Sequence, residues 1–169
     1  MRHAPLLLAS ALAVLAVPAV RAAETVSAAD RSFVAMVSQG GMFEVKLGQL
    51  GAEQGSRQDI RDQGNTEAHD HQLVGDKLRA IATAAGIDLG DTLNAQFQKR
   101  LDAAKALSGE AFDAAYLRAM EDIHAKDGAA FAKEATAGTE PQLRAFAAET
   151  HRIVERHIGE LKAVGPTGR

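Results

Sequence analysis

The sequence predicts an all-α fold, an antiparallel four-helix bundle with one extra short helix between the second and third long helices. Three observations predict it. Apolar residues recur at alternating steps of three and four along four long stretches, the spacing that gathers them on one helix face. Residues that start and stop helices bound each stretch. The two-residue alternation of Val, Ile and Thr that marks a half-buried strand occurs nowhere.

Ser27-x-x-Asp30 opens the first helix, whose stripe runs through Phe33, Val37, Gly40, Glu44, Leu47 and Gly51, and Gly55 closes it. Ser56-x-x-Asp59 opens the second. Its stripe is Ile60, Gly64, Glu67, His71, Val74, Leu78, Ile81 and Ala85, and Gly86 ends it. Residues 91–107 place Leu93, Phe97, Leu101 and Ala104 on one side of the short helix. Ser108 starts the third long helix, with Leu117, Met120, His124, Gly128 and Phe131 aligned and Gly138 beyond its end. Thr139-x-x-Gln142, with Pro141 in the first turn, opens the last. That helix aligns Leu143, Ala147, Thr150, Val154, His157, Leu161 and Val164 before Gly165-Pro166 stops it. Short connections at 55–57 and 137–140 make those neighbours antiparallel, while the long connection carrying the short helix lets the chain cross the bundle. No tandem repeat and no low-complexity segment is evident.

The first 22 residues read as a cleaved signal peptide: Arg2, the apolar run 6–17, and small side chains at Ala22 and before it. The expected mature domain is then 23–165, with 166–169 a disordered tail, and the expected location is the periplasm, with outer-membrane association open. Losing Arg2 and Arg21 moves the formal net charge from −3 to −5. An acidic chain with only 4% aromatic residues has neither the basic stripe nor the stacking platforms of a nucleic-acid binder. The absence of Cys excludes disulfides and thiolate metal sites. No second apolar run is long enough for a transmembrane span. Composition leaves protein partners and oligomeric state unspecified.

Four helices each carry an ionisable residue at a core-type position: Glu44, His71, His124 and His157. Glu67, four residues before His71, and Glu121, three before His124, are lesser candidates, each about one turn from its histidine. Buried without partners, such groups would cost several kcal/mol each, on the order of the penalty for an unpaired ion. They therefore form either a divalent transition-metal site or an internally hydrogen-bonded polar network. Three imidazoles and a carboxylate suit Zn, Fe, Mn or Cu and lack the oxygen-rich shell of Ca. Paired Glu-x-x-His motifs are absent, which favours a mononuclear site and argues against a ferritin-like redox enzyme. His69 and His151 fall off the stripes. Asp70, beside His71, reads as exposed charge or a contact to another helix. No serine sits on a nucleophile elbow, and "SQGG" (38–41) lacks the ending of a phosphate loop. Nothing in these residues assigns a catalytic role.

Segments 33–54, 69–89, 108–135 and 143–164 resemble, in the same order, the bacterial exported family of unknown function numbered four-one-four-two. Gly-Gly-Met-x-Glu-Val-x-Leu-Gly (40–48) and Gly-x-x-Phe-Asp-x-x-Tyr (109–116) are the most specific parts of the likeness. The resemblance implies a ferritin-like bundle, often labelled an outer-membrane or periplasmic protein, with an acid at Glu44 and histidines at His71, His124 and His157. Departures are Ile123, where the family usually has Asp, and His151-Arg152, where it usually has Leu-Pro. The family carries no established activity, so the resemblance implies a fold and a location, not a reaction.

Overall fold

The computed structural model describes residues 26–165, so the leader 1–22 and the tail 166–169 lie outside the described residues. Five helices account for most of the described residues: α1 (Ala28–Gln54), α2 (Gln58–Ala84), α3 (Ala95–Lys105), α4 (Gly109–Ala137) and α5 (Pro141–Val164). Among the described residues there is no strand, and no helix is long and apolar enough to cross a membrane.

α1 and α2 form one hairpin, α4 and α5 another. The first hairpin is tight because glycine brings its backbones into contact. A Cβ on Gly64 would lie 2.5 Å from the Ala52 nitrogen, and one on Gly48 would lie 2.8 Å from the Gly64 oxygen. Contacts between the hairpins fix their directions. Asp30, at the start of α1, bonds Thr139 beyond the end of α4, so these helices are antiparallel. Asp70 meets His157, and Lys77 meets Glu149, so α2 and α5 are antiparallel too. The order is up, down, down, up, and it requires the segment from 85 to 108 to travel the bundle's length, as in ferritin-like folds with one long crossover. α3 rides on this crossover and packs Phe97 on Phe43 of α1, ring centroids 5.0 Å apart.

Two apolar clusters fill the interior. One gathers Phe43, Leu47, Ile60, Phe112, Tyr116, Met120 and Leu161. The other gathers Phe33, Val37, Leu78, Phe131, Leu143, Phe146 and Val154. On every long helix the residues of these clusters flank an ionisable side chain, so a polar layer separates them: Glu44, Glu67, His71, His124 and His157, all buried.

The helix starts differ from the sequence expectation in an instructive way. Ser27 caps α1 as expected, accepting from the Asp30 amide at 3.0 Å. Ser56 and Thr139 do not cap α2 and α5. α2 starts after Arg57 without a side-chain cap, and Glu140 caps α5 by accepting from the Leu143 amide. Both hydroxyls are taken by an acid of the opposite hairpin. Asp113 accepts from the Ser56 amide at 2.9 Å and its hydroxyl at 2.6 Å. Asp30 accepts from the Thr139 amide at 3.0 Å and also from its hydroxyl. Burial alone would raise the Asp30 carboxyl, but the bonds from Thr139 and Ser27 hold it down at about 2. The short helix is narrower than expected as well, running from Ala95 with Asn94 accepting from the Phe97 amide at 2.9 Å.

The reciprocity amounts to a repeat. Asp30 to Asp113 spans 83 residues, and so does Ser56 to Thr139. At the same spacing Ile60 matches Leu143, Gly64 matches Ala147 and Leu78 matches Leu161, all six buried. The two hairpins thus place matching buried positions 83 residues apart. Equivalent positions preserve size and polarity more than identity, so residue-by-residue comparison does not expose the match.

Candidate metal centre

The polar layer places four donor atoms around one point. Glu67 and His71 come from α2, one turn apart on its inward face; His124 comes from α4 and His157 from α5. The donors lie within 4.8 Å of one another, and all four residues are buried. Glu67 Oε2 is 3.2 Å from His71 Nε2, 3.2 Å from His124 Nε2 and 2.9 Å from His157 Nδ1. His124 Nε2 is 3.4 Å from His71 Nε2 and 3.3 Å from His157 Nδ1. Five of the six donor separations thus run from 2.9 to 3.4 Å, close to the edge of a tetrahedron whose centre lies about 2.0 Å from each corner, the length of a Zn–N or Zn–O bond.

The second nitrogen of each ring fixes which nitrogen faces the centre. His71 Nδ1 lies 3.1 Å from Glu44 Oε2, His124 Nδ1 lies 2.8 Å from the Met120 carbonyl oxygen, and His157 Nε2 lies 3.0 Å from Asp70 Oδ2. Glu44 and the Met120 carbonyl can only accept, so the outer nitrogens of His71 and His124 carry the proton and donate it, whereas His157 Nε2 lies between the acceptor Asp70 and the donor Arg156, whose Nη2 is 2.9 Å away. In the neutral rings of His71 and His124 two lone pairs then converge with the Glu67 carboxylate and His157 Nδ1, an arrangement suited to a cation. This is how metal-binding histidines are oriented by a surrounding shell of acceptors. The remaining Glu67 oxygen accepts from Gln63 Nε2 at 2.8 Å.

A proton can stand in for the ion. Burial opposes charge on His124, but the bond to Glu67 and the charges of Glu44 and Glu67 outweigh it and raise the ring to about 9. Burial likewise opposes charge on His157, and Glu67 and Asp70 overcome it. Burial would raise Glu67, yet the three imidazoles hold it far below the ordinary carboxylate range. One turn beyond the layer, burial and the charge of Glu44 push Asp127 up, with Asp127 set against Gly40 of α1.

A family model described as a domain of unknown function, DUF4142, matches residues 15–164. The chain belongs to the DUF4142 family. Among solved structures, a DUF305 fragment from Deinococcus radiodurans shares the fold, with TM-score 0.72 and 14% identity over 82% of this chain and 96% of that one. No curated protein matches.

In this DUF4142 chain the structure brings His71, His124 and His157 together, with Glu67 as the carboxylate among them. Glu44 sits one layer out, behind His71, with its other oxygen 3.6 Å from His124 Nδ1. Glu121 is exposed and outside the group, because Met120 and Ile123 take the inward positions beside it. His69 is exposed and His151 half-buried, as expected from the stripes. Asp70 makes the interhelical contact, paired with Arg156 at the surface. Asp70→Asn should weaken metal binding by about 10- to 100-fold, as loss of an outer partner does elsewhere. Competition against a chromophoric chelator would read it, and the partial exposure of Asp70 leaves folding a small concern.

Proposed function

We propose that this DUF4142 protein binds one divalent transition-metal ion, best fitted by Zn(II), through Glu67, His71, His124 and His157, and serves in the cell envelope as a metal-binding bundle. The observation that carries the reading is the buried group of four donors within 4.8 Å of one another, with the outward nitrogens of His71 and His124 held by acceptors. Four protein donors complete a tetrahedral shell, the pattern of structural zinc sites, and this favours a holding role over redox turnover. Envelope location rests on the signal-like run 6–17.

A second reading keeps the cluster as a structural polar network with a proton on His124, favoured by the Glu67 and Glu44 charges around that ring. Elemental analysis of protein purified from its native envelope separates the two. The expected result is one equivalent of metal per chain, held through gel filtration and removed by chelator. A protein that stays metal-free after incubation with Zn(II), Fe(II), Mn(II) and Cu(II) would leave the network reading standing alone.

A further inference from the structure

The donor residues are at most 2% exposed, so an ion must pass through protein to reach them. A groove of about 300 Å³ opens between α1 and α2, and His71 forms part of its wall. Val74, Leu78 and Phe131 line it deeper in. A second cleft, about 270 Å³ between α2 and α5, touches no donor residue. It reaches Asp70, and the ion pairs Lys77–Glu149 and Arg156–Asp70 lie along it.

Two helical glycines hold the first groove open. Gly41 on α1 and Gly75 on α2 both line it, and a Cβ on either would meet nothing within 4 Å. They differ in this from Gly48 and Gly64, where backbone contact leaves no room for a side chain. In mid-helix each glycine costs about 1 kcal/mol relative to Ala, and here no packing requirement accounts for it. The rim is balanced in charge, Lys46 and Arg79 against Asp76 and Asp91, so the feature that distinguishes this groove from the second cleft is that a donor residue, His71, lines it.

We propose that this α1–α2 groove is the route by which the metal ion enters and leaves the cage, with His71 the first ligand it meets. The proposal rests on the metal-binding reading above. An obstruction in a route raises one barrier seen from both sides, so it slows loading and release by the same factor and leaves the equilibrium unchanged.

Gly75→Leu would place a side chain in the groove while improving helix propensity and sparing every ligand, and Gly41→Leu would do so from the facing wall. Stopped-flow loading of metal-free protein with Co(II), followed by removal with excess chelator, gives both rates. In each variant both should fall by about tenfold, toward the rate that local opening of the bundle allows, with affinity unchanged. Leu73→Trp, in the α2–α5 cleft, should leave both rates as they are. Wild-type rates in the two glycine variants, slowing by Leu73→Trp instead, or slower loading matched by an affinity loss would each overturn the route while metal binding stands. Failure of the wild-type protein to take up Co(II) would remove the underlying reading and the route together.

Discussion

Adding zinc to metal-free protein should raise its melting temperature by about 10 °C, and the His71→Ala/His124→Ala double variant should show no such response. A ligand that binds only the folded chain stabilises it by about 4 kcal/mol when present at a thousand times its Kd. A domain of this size gains a few degrees per kcal/mol. The variant removes two of the four donors and leaves Glu67 with His157 alone, so it should melt lower even without metal, by about 3–5 kcal/mol, as when one partner of a buried ion pair is removed. The informative quantity is therefore the shift between metal-free and metal-loaded forms of each protein, which a general folding defect does not produce. An equal shift in both proteins would place the ion elsewhere. No shift in either would mean that the cluster does not use one.

The second large effect is a divergence with pH. His124 keeps its proton up to about 9 in the fold, against 6.5 for a free imidazole. The stabilisation from that raised affinity is fully present below pH 6.5 and disappears as pH climbs through 9, a loss of about 3 kcal/mol for the metal-free protein. Burial opposes the charge on His157 as well, and Glu67 and Asp70 override it, which works in the same direction. The metal-loaded protein behaves oppositely, because the ion needs the inward nitrogens free of protons and competes better as pH rises. Melting curves across this window should show metal-free stability falling while the zinc-induced shift widens. A metal-free protein that grows more stable from pH 6.5 to 9 would contradict the proton assignment on His124.

Much of this is legible in the sequence, and the remainder has a common physical cause. The three-and-four stripes fix which side of each helix is buried, and they find Glu44, His71, His124 and His157, all inside the bundle. They do not fix the height at which one helix meets the next. That register depends on contacts such as Gly48 against Gly64, where backbones touch without any side-chain pattern to announce it. Glu44 and Glu67 both lie on inward stripes, so periodicity alone does not tell which reaches the centre and which stands behind a ring. Asp70 shows the same gap from another direction: its closest functional partner is His157, 87 residues away, while its sequence neighbour is His71. Glu121 misleads because Glu-x-x-His spacing describes distance along a helix without describing which way the carboxylate faces. Ser56 and Thr139 mimic capping residues since the same small hydroxyl serves either role, and only the opposite hairpin's aspartate decides between them.

The two halves of this chain hold one another at their turns through Asp30 and Asp113, and the cage draws two donors from each half: Glu67 and His71 from the first, His124 and His157 from the second. An ion seated there acts as a rivet midway between two end clasps. Emptying the cage would remove the central fastening and leave the joint to the clasps and the surrounding oil, so metal supply would set how firmly one half of the polypeptide grips the other.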